Sequence, residues 1–289
     1  MKKLLQSRVF VFVVTFILIS FVKELERSAK KQNYSKTVVV TAPNTPVNEQ
    51  KLLDEQDRLQ NGVAHGVLDN STLDAASLAS SLGHLPNDKK YWSFGFSDSK
   101  SRIFTYAASA LNKKHYLANS FLLGFVPFET DKVWVPLATL SQRKRYLFDH
   151  KLYGPHMQDV WQNSKQAYAY SHGDCEDHSI LLADWLIAMG LDAKVALGDV
   201  PSGGHAWVVL NYKGIDYVLE ATNKRRINSI HDFELASRAT DYWPEILFNR
   251  DSLWVNTGSK FTTRYRGNHW QLRSHFKRDR QLSEADLKF

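Results

Sequence analysis

The sequence predicts a domain of the α+β class behind an amino-terminal membrane anchor, and three observations support this prediction. An apolar run of helical length ends at Gly190, three short strand patterns follow it, and an uncharged apolar run occupies residues 9–22. The chain has 289 residues, of which 43% are hydrophobic and 23% charged. This composition supports a sizeable core and excludes fibrous and wholly disordered proteins.

Charge and cysteine content narrow the classes of function. The net charge is +7, which suggests an anionic neighbour without identifying one. Cys175 is the single cysteine, so an internal disulfide and a multi-cysteine zinc site are both excluded. Cys175 is therefore either an inert core residue or a reactive one.

The amino terminus reads as an export signal. Lys2, Lys3 and Arg8 precede the run 9–22, which at about 1.5 Å per residue covers roughly 21 Å of the ~30 Å hydrocarbon core. No small-x-small cleavage site follows the run. We expect residues 1–29 to form an uncleaved, single-pass signal anchor; a cleaved signal and a buried core helix are the alternatives. The basic residues keep the amino terminus inside and export the rest.

Composition divides the remaining chain into three parts. Residues 30–90 are predicted to be a tether with short helices near 49–61 and 71–82, and residues 91–260 the globular domain. A basic tail follows at 261–289. Within it, 262–280 carries six Lys/Arg against one acid, interleaved with aromatic residues. A solvated amphipathic helix is the favoured interpretation; where this segment binds a partner, we expect anionic lipid rather than nucleic acid.

The helix before Gly190 places Cys175 in a reactive setting. Asp174 is a good N-cap, and Asp177 stands where a capping-box acid belongs. Cys175 is therefore predicted in the first turn, where unpaired amides and the helix dipole favour a thiolate. The flanking carboxylates oppose this effect, so activation needs a nearby cationic base.

The strands after the helix supply such a base. Residues 193–200, 205–211 and 215–220 read as strands, the last two joined at Lys213-Gly214. Either two-residue loop, 212–213 or 213–214, puts His205 and Glu220 on one face within reach of each other. A three-residue loop would separate them. Asp216 has the same parity and is the substitute partner for His205.

These residues carry a resemblance to bacterial transglutaminase-like cysteine peptidases, exported members of the papain-like superfamily. The matching segments lie within residues 133–256 and are Trp161-Gln162, Gly173-Asp174-Cys175-Glu176-Asp177, Gly190-x-x-Ala193-x-Val195, Gly204-His205-Ala206-Trp207 and Glu220-Ala221-Thr222. The resemblance implies a papain-like, transglutaminase-like fold in which the Cys helix packs on an antiparallel sheet. It also implies a Cys175–His205–Glu220 triad, although the family commonly has Asp in the third place.

The resemblance implies further roles around the cysteine. The Cys175 amide is the expected first oxyanion donor, and Gln162 or the Trp161 indole is the second. Acids beside the cysteine bind calcium in related periplasmic peptidases, so Asp174 and Glu176 are candidate calcium ligands, with no cofactor strictly required. For Asp174, Glu176 and Asp177 we nevertheless favour capping and solvated charge over metal binding. His172, Cys175 and His178 also suggest zinc, but no second cluster completes four ligands.

The expected function is that of a thiol hydrolase, a peptidase or amidase, or of an acyl transferase. Its substrate would be a protein or peptide reached from the outer side of the inner membrane, with the domain in the periplasm. The triad does not distinguish water from an amine as the second acceptor. A catalytically inactive, anchored binding module is the alternative.

Overall fold

The structure is a computed structural model that describes residues 48–82, 91–98 and 100–289. The predicted anchor and the first part of the predicted tether lie outside the described residues. Among the described residues, no helix has both the length and the apolar character needed to cross a membrane.

One long helix and a large sheet dominate the secondary structure. The described helices are α1 (Glu49–Asp54), α2 (Gln56–Gln60), α3 (Ala75–Leu82), α4 (Val135–Arg143), α5 (Asp149–Leu152), α6 (Ser164–Ala169), α7 (Cys175–Ala188) and α8 (Glu284–Leu287). The described strands are β1 (Gly62–Gly66), β2 (Thr72–Asp74), β3 (Phe94–Ser97), β4 (Phe104–Ala110), β5 (His115–Leu117), β6 (Arg145–Tyr146), β7 (Val160–Trp161), β8 (His172–Gly173), β9 (Asp192–Val200), β10 (Gly203–Tyr212), β11 (Ile215–Leu219), β12 (Glu234–Leu235), β13 (Trp243–Phe248), β14 (Ser252–Asn256) and β15 (Trp270–Arg278). Short 3-10 turns occupy Ala118–Phe121, Ile230–Asp232 and Ala236–Arg238.

The main sheet has nine antiparallel strands in the order β12-β11-β10-β9-β13-β14-β15-β1-β2. A smaller sheet is formed by β3, β4 and β5, and β7 pairs with β4 in parallel. Helix α7 packs on β9 and β10. The predicted α+β class, with a buried Cys helix on an antiparallel sheet, is confirmed.

Helix α7 begins and ends where the sequence indicates. Asp174 is the N-cap, and its N–H donates to the Asp177 carboxylate at 3.3 Å. Gly190 has a φ of +78°, which suits the left-handed residue that commonly follows a helix. The helix is buried over most of its circumference, so its packing rather than its exposed surface fixes the position of Cys175.

The hairpin between β10 and β11 adopts one of the two predicted registers. Tyr212 pairs with Ile215, and Lys213 and Gly214 form the loop with positive φ values of +52° and +78°. Two positive φ values match a type I′ turn, whose twist suits a two-residue hairpin. Glu220 therefore follows β11 directly, on the face that carries His205.

The predicted tether is wrong for residues 48–82. Strand β1 pairs with β15 in the main sheet, with Val63 opposite Lys277. The two predicted short helices are present, but each buries apolar side chains, Leu52 and Leu59 in the first and Leu78 in the second. Burial of this apolar surface joins the segment to the folded unit.

The amphipathic helix considered for 262–280 is also wrong, because β15 occupies 270–278 of that segment and residues 262–269 form no helix. Tyr265, Trp270 and Phe276 are buried in core clusters. The aromatic residues are therefore not exposed to lipid. Arg266 and Arg280 form ion pairs with Asp216 and Asp286. Lipid contact by the remaining basic side chains stays a prediction.

Candidate active site

A cleft of about 440 Å³ opens at the start of α7 and is lined by both Cys175 and His205. Trp161 and Tyr106 form part of its wall, with their rings stacked 6.0 Å apart. A larger cavity of about 890 Å³ lies at the other end of α7, but its lining contains no cysteine or histidine. The smaller cleft therefore holds the chemistry that the sequence predicts.

Cys175 occupies the first position of α7 and is partly buried. Its thiol donates to Oε2 of Glu176 at 3.4 Å. Burial raises the pKa of the Cys175 thiol to about 12, and the charge of Asp174 adds to this effect. The nearby Ala206 amide opposes it by favouring the thiolate. In this arrangement the thiol is protonated, whereas the sequence predicted a depressed thiol pKa once a base is near.

His205 lies on β10 with its Nε2 atom 2.7 Å from Oε2 of Glu220. That contact leaves Nδ1 as the imidazole atom able to take a proton. Ala206, the next residue of β10, contacts the sulfur of Cys175 through its amide, so the thiol and imidazole are held at the same end of the strand. Among the described residues, no hydrogen bond joins the sulfur to the imidazole; catalytic hydrogen bonds are often long before substrate binds.

Glu220 is held in a complete hydrogen-bond network. Oε1 accepts from the Thr222 amide at 3.0 Å and the Thr222 hydroxyl at 2.6 Å, and Oε2 accepts from the Tyr242 hydroxyl at 3.1 Å. Burial opposes ionisation, but hydrogen bonds from His205 and Thr222 outweigh it and hold the pKa of Glu220 below its usual value. The Glu220 carboxylate is therefore ionised and in contact with Nε2 of His205. Asp216, the substitute, instead contacts Asn211 and Arg266.

Five carboxyl groups gather behind the thiol. They are Asp149, Asp159, Asp174, Glu176 and Asp177. Oxygens of Asp149, Asp174 and Asp177 lie within 4.8 Å of one another, as do those of Asp149, Asp159 and Glu176. Four of the five are buried, which corrects the expectation that the acids beside the cysteine are solvated.

The pKa values of this carboxyl cluster are raised. Burial raises the pKa of Asp149 to about 10, and the charges of Asp174 and Asp177 add to the effect. Burial likewise raises the pKa values of Glu176 and Asp177. Oδ1 of Asp149 and Oδ1 of Asp174 are buried without hydrogen-bond partners in the described part of the chain. An all-oxygen, electron-rich set with unpaired atoms fits a calcium ion, which takes six to eight oxygen ligands.

Lys144 is the buried cation next to this cluster. Its Nζ donates to Oε1 of Gln162 at 2.9 Å and to the His172 carbonyl at 2.8 Å. Burial lowers the pKa of Lys144, and the charge of Asp177 opposes that shift. One ammonium group is too little to balance five carboxylates, so their pKa values stay raised unless another cation binds.

The geometry does not favour either predicted second oxyanion donor. The Gln162 side chain is fully buried, and its Nε2 donates to Tyr153 and to the His172 carbonyl. Trp161 does line the cleft, but its indole N–H donates to Asp159 at 2.7 Å. Both roles stay predictions that would require these hydrogen bonds to rearrange.

Zinc binding at the histidines is not supported. His178 contacts the Asp174 carbonyl through Nδ1 and Lys224 through Nε2. The metal-compatible groups found among the described residues consist of carboxylates alone.

Sequence reasoning missed three members of the site. Asp149 and Asp159 reach the cluster from α5 and from the start of β7, and Tyr242 reaches Glu220 from just before β13. No local pattern marks these residues, because only the folded chain brings them near Cys175.

Residues 159–276 match the family model of the CEP76 peptidase-like domain. No curated protein matches the chain. Solved structures that resemble it include LapG of Legionella pneumophila, with 18% identity over 49% of this chain and 77% of that chain, at a TM-score of 0.34. Its calcium-bound form matches with 17% identity over 49% and 78%, at 0.35, and its EGTA-treated form with 17% over 50% and 82%, at 0.34.

Likeness at these TM-scores carries no functional argument. The family match is the informative one, because residues 159–276 include Cys175, His205 and Glu220. That part of the chain is peptidase-like in sequence.

Proposed function

We propose that the protein is a papain-like thiol peptidase or acyl transferase that acts on protein or peptide amides through Cys175, His205 and Glu220. One observation carries the proposal: the 2.7 Å contact between His205 and Glu220 stands in the wall of the cleft that holds Cys175. A binding groove needs no such oriented imidazole. The peptidase-like family match supports the same reading.

The chemistry follows from these roles. Glu220 orients His205, and Nδ1 of His205 takes the thiol proton as the sulfur attacks the amide carbonyl. The Cys175 amide, at the amino end of α7, stabilises the oxyanion. The C–N bond then breaks while His205 returns the proton to the leaving amine. Water resolves the thioester in a peptidase, and a second amine resolves it in a transferase.

Activation requires a change in the charges beside the thiol. The charges of Asp174 and Asp159 disfavour the Cys175 thiolate, whereas the hydrogen bond with Glu176 favours it. We propose that Asp149, Asp174 and Glu176, together with Asp159 and Asp177, hold a calcium ion. Bound calcium would supply positive charge that offsets these carboxylates.

A catalytically inactive binding module is the second candidate. The protonated thiol and the missing sulfur–imidazole hydrogen bond favour it. The two candidates differ in one property: an enzyme must form a thiolate–imidazolium pair within the folded state, whereas a binding module need not.

Export through residues 1–29 remains part of the proposal, with the domain on the outer side of the inner membrane. Support comes from the apolar run at 9–22 and the basic residues before it. Protease treatment of spheroplasts tests it: digestion from outside is expected, and full protection would contradict export.

Alkylation of Cys175 by iodoacetamide between pH 4 and 9 tests the proposed function. Purified protein is compared with His205→Ala and with His231→Ala, an exposed histidine outside the cleft, in calcium chloride and in EGTA. We expect an apparent thiol pKa below the ~8.5 of a free cysteine, raised by His205→Ala only. A thiol that reacts only after unfolding would overturn the enzyme and leave the binding module.

A further inference from the structure

The cleft is acidic although the chain as a whole is basic. Of its 19 lining residues, five are carboxylic acids and none is Lys or Arg, whereas the chain has a net charge of +7. The five acids are Asp159, Asp174, Glu176, Asp199 and Glu245. The first three belong to the carboxyl cluster, and the last two are exposed at the rim.

Strand geometry places both rim acids at the edge of the cleft. Asp199 is two residues from Leu197 on β9, and Leu197 packs against the core on the side of α7. Because side chains alternate along a strand, Asp199 shares that face. Glu245 is the extra residue of a bulge in β13, between Pro244 and Ile246. Such bulges re-aim side chains beside active sites.

Gly198 makes the bulge possible. A Cβ atom at this position would lie 2.1 Å from the Trp243 carbonyl oxygen and 2.9 Å from Cα of Pro244. Only glycine therefore allows β13 to approach β9 this closely. The same glycine lies opposite His205 in the pairing of β9 with β10, so the bulge stands beside the imidazole.

Aromatic side chains lie beside the rim acids in the cleft. The rings of Phe148 and Trp92 are 48% and 45% exposed at the cleft. Burial raises the pKa of the Tyr106 phenol, and the charges of Asp159, Glu176 and Glu245 add to the effect. Aromatic faces and carboxylates are the groups that bind ammonium and guanidinium side chains.

We propose that Asp199 and Glu245 make the cleft selective for substrates with a lysine or arginine next to the reacting amide. The inference rests on the proposed function and names its substrate class. Rim carboxylates attract such a side chain over several ångströms and raise the rate of productive encounter. Acidic substrates are repelled by the same charges.

Two thiol reagents of equal reach and opposite charge test this charge effect without a known substrate. Cys175 is modified with trimethylammonioethyl methanethiosulfonate and, separately, with sulfonatoethyl methanethiosulfonate. Both reactions are run in saturating calcium chloride. Because calcium then occupies the carboxyl cluster, the rim is the acidic part of the cleft that remains. The rate of modification by the cationic reagent is divided by the rate for the anionic reagent, and this ratio is then divided by the same ratio measured with N-acetylcysteine amide. We expect a corrected ratio of about tenfold, the low end of the effect of charged clefts.

Matched variants assign the effect to the rim. Asp199→Asn with Glu245→Gln is expected to return the corrected ratio toward one. Glu129→Gln with Asp131→Asn removes the same charge at exposed sites outside the cleft and is expected to leave the ratio unchanged. A ratio near one in the wild type, or an equal fall in both double variants, would overturn the inference. A thiol unreactive toward both reagents would overturn the inference together with the proposed function.

Peptide amides then test the substrate class directly. A matched series carries Lys, norleucine or Glu beside the reacting amide, and kcat/KM is compared. We expect Lys to exceed norleucine and Glu to be poorest, with the order flattened by the rim variants. Cleavage that ignores this residue would overturn the inference but keep the enzyme. If the wild type shows the expected cation-to-anion rate ratio but cleaves none of the peptides, the result would count against the proposed function alone.

Discussion

Two carboxylate sites flank the reacting groups, and they are built in opposite ways. Glu220 accepts four hydrogen bonds, from His205, from Tyr242 and twice from Thr222, and its pKa is held low. The carboxyl cluster around Asp174 has raised pKa values and two buried oxygens without partners. The protein itself supplies all the hydrogen-bond donors to Glu220, whereas the carboxyl cluster needs bound protons or a metal ion to balance its charge.

The difference shows how one fold can hold an acid ionised and another protonated a short distance away. Donors supplied by the backbone and by neutral hydroxyls stabilise the charge of Glu220 without adding other charges. In the cluster, burial raises the pKa values most, and neighbouring carboxylates add to the effect at Asp149 and Glu176. The protonation state of the Cys175 thiol depends on which of the two sites determines the electrostatic potential around it.

The largest expected effect is that of a substitution at Glu220. Glu220→Gln keeps the shape of the side chain but cannot stabilise an imidazolium, so we expect kcat on an active peptide amide to fall by about 10³- to 10⁴-fold. Asp216→Asn, on the same hairpin, is the control. Equal thermal stability of the variant and the wild type would separate chemistry from folding. Unchanged turnover would remove Glu220 from the mechanism.

Calcium is expected to bind at the carboxyl cluster and to stabilise the folded protein through that site alone. At 100 times its Kd, a ligand that binds the native state adds about 2.7 kcal/mol, which for this size corresponds to a rise in Tm of about 5–10 °C. Asp149→Asn with Asp174→Asn should abolish the rise, and Asp131→Asn should not. Differential scanning calorimetry in calcium chloride and in EGTA measures both. An equal shift in the double variant would place the ion elsewhere.

The pH dependence of the stability of the metal-free protein tests the carboxyl cluster in a second way. Because the folded-state pKa of Asp149 is raised to about 10, its contribution is fully present below pH 4 and is lost as pH rises toward 10. In EGTA, we expect urea unfolding to give lower stability at pH 8 than at pH 6, by about 1.4 kcal/mol per pH unit for each proton retained only by the folded state. Asp149→Asn should flatten this slope. A slope that the variant leaves unchanged would contradict the assignment.

Tyr242→Phe should have the smallest effect. It removes one of four hydrogen bonds to Glu220 and keeps the ring that packs on Trp207. The loss of one such bond costs about 0.5–1.5 kcal/mol, so we expect kcat/KM to fall two- to tenfold. Tyr212→Phe, outside the cleft, is the control. A loss comparable to that of Glu220→Gln would mean that Tyr242 contacts the substrate itself.

The parts of the site that the sequence predicted are those with local signals. Helix α7 has an N-cap and a terminating glycine, and the Lys213-Gly214 turn fixes which residues oppose each other across the hairpin. Periodicity and turn chemistry therefore placed Cys175 at a helix start and His205 beside Glu220.

The parts that were missed depend on contacts between distant segments. Asp149 and Asp159 approach Asp174 only after α5 and β7 pack beside α7, and Gln162 was assigned to the cleft because its burial is not visible in the sequence. Strand β15 was read as a helix since its positive charges hid the alternation that buries Trp270, Ser274 and Phe276. Single-sequence patterns report neighbours along the chain and say little about partners across the fold.

The pairing of β1 with β15 also sets the order in which the molecule is assembled. Val63 meets Lys277, so 214 residues separate the partners (277 − 63). A ribosome must finish almost the whole domain before this ladder closes, and until then the early strand has an open edge. Loop closure over such a span slows folding. An exported chain would therefore leave its translocation channel with that edge still unpaired, and the last strand to emerge would complete the sheet.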